Sequence, residues 1–107
     1  MTEQHERRAR NEALFREANE RIEEAARAAP ADVSLFLCEC SDATCAQAIP
    51  VPIAAYEAVR AVPTRFVVAP GHVDGGVEHV VERHAEYVVV EKDGPAADVA
   101  VETDPRE

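Results

Sequence analysis

Apolar residues recur at intervals of three and four along the start of the chain: Leu14, Ala18, Ile22, Ala25 and Ala29, with Phe15 and Ala26 beside them and Arg and Glu filling the other positions. That spacing marks one face of a helix. Residues 1–29 lack Gly and Pro and are rich in Ala, Glu and Arg, so a long helix is expected, frayed over residues 1–9. Pairs such as Glu12 with Arg16 and Glu17 with Arg21 add i,i+4 support. The apolar stripe is expected to dock on the chain's own core or on a sister copy.

The pattern then shortens. Pro30 and Asp32 end the helix, and Val33 to Cys38 is an apolar run with the length and composition of a buried strand. Pro50 and Pro52 bracket a break, after which Ile53, Tyr56 and Val59 mark a short helix stopped by Pro63. Arg65 to Val68 reads as a strand ended by Pro70 and Gly71, and Gly75-Gly76 makes another turn. Val80-Val81 and Tyr87 to Glu91 give further strands around a turn at His84 to Glu86. Asp93, Gly94 and Pro95 close the last strand. Ala96 to Val101 fits a short helix or an edge strand, and residues 104–107 are expected to be disordered. These elements amount to one α+β domain over residues 10–103, a long N-terminal helix on a small, mainly antiparallel sheet.

Composition and charge narrow the function. The chain is 107 residues long, 47% apolar but only 5% aromatic, so its core must be built from small aliphatic side chains with a few rings as anchors. A metal clip would help so light a core offset chain entropy. Of the formal net charge of −10, the first 29 residues carry −1 and the remainder −9. Such a surface repels phosphate backbones and anionic membranes, which points away from nucleic acid and membrane and toward a protein partner or self-association. No apolar stretch is long enough to span a bilayer, and the charged N-terminus lacks the apolar centre of a signal peptide; a cytoplasmic location is expected.

In a reducing compartment three clustered cysteines read as metal ligands or redox thiols rather than as a disulfide framework. Cys38, Cys40 and Cys45 stand in a CxCx4C arrangement at the end of a predicted strand. A zinc ion needs four ligands in a tetrahedron and favours thiolate and imidazole. Of His5, His72, His79 and His84, His72 is the preferred fourth ligand, because it follows Pro70 and Gly71 in a tight turn. His5 falls at the fraying helix end, and His79 and His84 lie in or beside a solvated strand. Three thiolates and one imidazole close the shell of the ion, so the expected role is structural. Pairing of the strand at 33–38 with that at 65–68 would unite the two loops if their ends coincide.

The order of the pieces resembles a group of short proteins of high-GC actinobacteria. The resemblance is carried by Arg10-Asn11-Glu12-Ala13-Leu14-Phe15-Arg16-Glu17, Cys38-Glu39-Cys40 with Cys45, Tyr56-Glu57-Ala58-Val59-Arg60, Phe66, Pro70-Gly71-His72 and Tyr87-Val88-Val89-Val90-Glu91-Lys92, and it spans about residues 10–104. It implies an independent domain and recurrence of the Cys38, Cys40, Cys45 and His72 set, and it supplies no activity. Pro52 departs from it where a polar cap would be expected. The ligand types are also similar to those of CDGSH-type iron–sulfur proteins, but there the third cysteine lies further on and the histidine only a few residues beyond it.

No nucleophile elbow, P-loop or dinucleotide fingerprint occurs, so no enzyme is expected. Tyr56 and Arg60, four apart, could stack or anchor the short helix; Glu78, Glu82, Glu86 and Glu91 read as a solvated face. The sequence thus predicts a zinc-stabilised interaction or regulatory module. The alternative is a thiol redox sensor or iron–sulfur protein using the same cysteines. Glu39 and Asp42 count against the sensor, since neighbouring carboxylates raise a thiol pKa.

Overall fold

Among the described residues the chain forms eight helices and strands. The computed structural model describes residues 3–27, 32–40, 42, 44–45 and 47–106, and the side chains of 3–6, 8 and 9 lie outside the description. Helix α1 spans Glu3–Arg27, followed by strands β1 (Val33–Leu37) and β2 (Ala48–Pro52), helix α2 (Ile53–Arg60), strands β3 (Arg65–Val68), β4 (Glu78–Arg83) and β5 (Val88–Lys92), and helix α3 (Gly94–Glu102). The architecture is α+β, and every strand pair is antiparallel.

The strands form two sheets. β1 and β2 make a ribbon, and β5 lies between β3 and β4 in a three-stranded sheet. The central strand is the most apolar, with Val88, Val89 and Val90 all buried, as expected of a strand covered on both faces. Phe36, Ile49 and Val51 from the ribbon meet Phe66, Val67 and Val68 and the valines of β5 in one core, and Tyr56 of α2 stacks on Phe36 with ring centroids 4.2 Å apart.

Strand β2 departs from the expected break. Its register puts Pro50 opposite Leu35 and Pro52 opposite Val33, alternating with residues such as Gln47 whose carbonyl bonds the Cys38 N–H at 2.9 Å. Both prolines thus take positions whose missing N–H would point away from β1, where an edge strand tolerates them. Pro52 also begins α2 without a side-chain cap, and the first helical N–H, that of Ile53, donates to the Asp32 carbonyl at 2.9 Å. Residues 94–102 resolve to helix, with Pro95 in the first turn, where its missing N–H costs nothing.

Helix α1 is present as expected, but it docks by the opposite face. Glu12, Arg16, Asn19 and Glu23 are buried at helical spacing, whereas Leu14 is 64% exposed, Ala25 is exposed, and Ala18 and Ile22 are half-buried. Burying polar groups is costly unless each finds a partner. Here they do. The Lys92 ammonium pairs with both Glu12 and Glu78 and lies 4.9 Å from the Phe66 ring centre, so Glu78 is not part of the solvated face expected of it. Arg16 donates to the carbonyls of Pro63 and Ala100, each at 2.6 Å, and stacks over the same ring at 4.4 Å.

The C-terminal segment joins this polar layer. Arg60 pairs with Glu20 at 2.6 Å and with Asp104, and Arg106 reaches Glu20 and Glu57, both at 2.9 Å. The stretch expected to be disordered therefore includes two residues held by ion pairs, and the helix backbone begins at Glu3, inside the stretch expected to fray.

One lysine between two carboxylates leaves an excess negative charge in the core. Burial, only partly offset by Lys92, raises Glu12 to about 7. A carboxyl whose folded value lies above its unfolded one binds extra protons when folded, so its contribution is full at low pH and is lost as pH climbs through about 7. Going from about pH 6 to pH 8 is expected to cost the protein about 1 kcal/mol more than it costs a Glu12→Gln variant, read from urea unfolding at the two pH values.

Candidate metal centre

The site is built where β1 leaves its partner. After Leu37 the chain continues extended beside β3: the Glu39 N–H donates to the Val67 carbonyl at 2.8 Å, and the Val67 N–H donates to Glu39 Oε1 at 2.9 Å. β1 and β3 are thus not partners in one sheet, yet these two bonds align their ends, which is what the two loops need in order to meet. Cys38 and Cys40 flank Glu39 and are both buried.

A tight turn brings in the third thiol. Asp42 accepts at Oδ1 from the Thr44 N–H at 2.9 Å and the Thr44 hydroxyl at 2.7 Å, and its carbonyl accepts from the Cys45 N–H at 3.0 Å. These Thr44 bonds hold the Asp42 carboxyl below its usual range. An aspartate bonded to the backbone two residues on is a standard turn former, and this one folds Cys45 back toward Cys38.

The fourth donor comes from the turn Ala69-Pro70-Gly71-His72. Its ends are closed by the His72 N–H to Ala69 carbonyl bond at 3.0 Å, with Pro at the second position and Gly71 at φ +85° in the third. That is the signature of a type II turn, in which the third position needs positive φ and therefore favours Gly.

The four residues converge. One ligand atom from each of Cys38, Cys40, Cys45 and His72 lies within 4.8 Å of all the others. His72 Nδ1 is 3.5 Å from Cys38 Sγ and 3.7 Å from Cys45 Sγ. A tetrahedral ion with bonds of about 2.3 Å to sulfur and 2.0–2.1 Å to nitrogen requires S···N edges of about 3.6 Å. These two S···N distances match the edges of a tetrahedral site, and the four residues lie close enough to hold a metal ion. Beside them an open depression of about 370 Å³, lined by Cys40, Asp42, His72 and Asp74 among others, gives an entry path from solvent.

Burial pushes the Cys38 thiol well above its usual range, opposed by the Ala69 N–H that donates to its sulfur at 3.1 Å, and burial likewise raises Cys40. Without an ion these thiols stay protonated, so an ion must displace protons to bind. The same N–H would stabilise a bound Cys38 thiolate.

The other histidines lie elsewhere. His79 bonds Asp93 at 2.7 Å, and His84 bonds Glu82 at 2.9 Å and stacks on Tyr87. The side chain of His5 lies outside the described residues.

Sequence reasoning missed the supports of the site. Glu39 is fully buried and turns its carboxylate to Asn19 Nδ2 at 2.8 Å, the Tyr56 hydroxyl at 2.9 Å and the Val67 N–H. Burial raises its pKa against the pull of these three donors. Asn19 also reads both backbone groups of Leu37, accepting from its N–H at 2.7 Å and donating to its carbonyl at 2.8 Å, which covers the open edge of β1. Tyr56 is thus an anchor rather than a platform for Arg60. The available signal was the CxC step itself: in an extended chain the middle residue faces away from its neighbours. Glu39 therefore does not sit as a charge among the thiols, as expected; it ties the ligand loop to α1, α2 and β3.

Among the described residues no helix is long and apolar enough to cross a membrane. No protein-family model matches this chain, and no curated protein or solved structure matches it either.

Proposed function

We propose that the chain is a zinc-stabilised protein-interaction or regulatory module of a reducing compartment such as the cytoplasm, with Cys38, Cys40, Cys45 and His72 holding one structural zinc and no catalytic role. The carrying observation is the donor geometry: three thiols and one imidazole within 4.8 Å of one another, with S···N distances of 3.5 and 3.7 Å. Soft thiolate with imidazole favours zinc among divalent ions, and four protein ligands leave no open position for water or substrate, as catalysis would need. The raised Cys38 and Cys40 thiols weigh against the redox-sensor alternative, whose attack requires thiolate. The acidic body, with −9 of the net charge beyond residue 29, supports protein rather than nucleic acid as partner.

Cobalt(II) titration of the metal-free protein tests the ligand set. Saturation at one equivalent with the intense visible bands of a tetrahedral thiolate complex is expected, and His72→Ala should shift those bands and weaken affinity at least about tenfold. The weak spectrum of an octahedral ion, or an unchanged spectrum in His72→Ala, would contradict it.

A further inference from the structure

Because α1 spends its polar face on the core, part of its apolar stripe, at Leu14 and Ala25, is left facing outward. Leu14 is among the most exposed large apolar side chains described, and with Glu17, Ala18 and Arg21 it lines a shallow groove of about 240 Å³ on the outer side of the helix. Ala25 continues the exposed stripe, and the half-buried Ile22 between Leu14 and Ala25 also packs partly against the core. At 1.5 Å per residue the 25-residue helix is about 37 Å long, enough for an extended helix–helix contact.

The charges beside the stripe decide what fits it. Arg10, Glu17, Arg21 and Glu24 are all exposed and, by helical geometry, lie along one flank of it in the order plus, minus, plus, minus. In an antiparallel pair related by a two-fold axis, each helix sets this flank against the same flank reversed. An axis near Ala18 then brings Arg10 within about a turn of the other copy's Glu24, and Arg21 within about a turn of its Glu17, with Leu14 over Ile22 and the small Ala18 at the crossing. A parallel two-fold pair would instead set this flank against the other side of the stripe, at Phe15 and Ala26, and leave these four charges without one another. The first 29 residues also carry only −1 of the −10 net charge, so this is where two acidic copies can approach with least repulsion.

From this we infer that the exposed stripe of α1 is an isologous interface for a second copy of this chain, antiparallel about Ala18. The inference rests on the interaction reading above and names its partner, but it does not depend on the metal. A contact made by one helix from each copy lies at the low end of specific interfaces, so the dimer should dissociate on dilution.

Sedimentation velocity of the full chain over a wide concentration range tests it, with zinc content and circular dichroism recorded on every sample. The average mass should rise from one chain toward two. Leu14→Glu should weaken association at least about tenfold while leaving helicity and metal unchanged, since the side chain is exposed; Ala25→Glu on the same stripe should act alike. Arg21→Glu should weaken association, and Arg21→Glu combined with Glu17→Arg should restore it. A wild-type chain that stays monomeric throughout, whatever other protein it binds, overturns the proposal, as does a folded Leu14→Glu variant that associates like wild type. Association of chain that purifies folded but without zinc would leave the dimer standing and remove only the metal reading.

Discussion

Replacing Cys38 by Ser is expected to remove the metal and most of the stability together. Cys38 is 1% exposed, supplies one of the four donors, and its sulfur accepts the Ala69 N–H that holds the two ligand loops side by side. Structural zinc contributes folding free energy outright, about 10–16 kcal/mol of apparent binding in small zinc-finger peptides at neutral pH, against a total stability of about 5–15 kcal/mol for a domain. Loss of one thiolate should therefore cost at least about 3 kcal/mol and lower the melting temperature by about 10–20 °C. Calorimetry with and without chelator checks this: chelator should bring wild type down to the variant and leave the variant unmoved. Equal melting of the two proteins before chelation would show that no ion supports the fold. Cys45→Ser, at a half-buried position, should cost less.

The second large effect is expected far from the cysteines. Lys92→Ala leaves Glu12 and Glu78 buried with no cation between them, at 1% and 3% exposure. Removing one partner of a buried ion pair typically costs about 3–5 kcal/mol, because the orphaned charge must be neutralised or hydrated. Part of that cost should be recovered at low pH, where Glu12, already raised toward neutrality, takes up a proton. Restoring neutrality with Glu12→Gln in the same chain should also recover part of it. Urea unfolding of the single and double variants gives the coupling directly. A shift below about 1 kcal/mol for Lys92→Ala would mean that α1 is not docked through this triad.

These two sites differ in how far the sequence discloses them. The grouping of Cys38, Cys40, Cys45 and His72 was legible because metal chemistry restricts residue type and because Pro70-Gly71-His72 encodes its own turn; short-range rules suffice for both. The α+β class followed from periodicity in the same way. The docking face of α1 was not legible, since the stripe Leu14, Ala18, Ile22 and Ala25 is the better apolar surface by any local measure. The face that is buried is chosen by partners remote in sequence: Lys92 for Glu12, the Pro63 and Ala100 carbonyls for Arg16, Leu37 and Glu39 for Asn19. Strand β2 was hidden for a different reason. Pro50 and Pro52 read as a break, and only the register against β1 shows that both fall where no ladder hydrogen bond is required.

The same long-range contacts explain how a light core holds its shape. Glu39 gathers α1, α2 and β3 from between Cys38 and Cys40, so the order of the cysteine loop and the seating of the helix share one side chain. A bound ion would thus act on the whole α1 interface and not only on the two loops that supply its ligands.

The proposed function turns on the ion, and its most direct test is elemental analysis of protein purified without added metal or chelator, combined with a thiol count before and after denaturation. About one zinc per chain is expected, with the thiols of Cys38, Cys40 and Cys45 masked until the protein is unfolded. Metal-free, fully folded protein with three reactive thiols would contradict it.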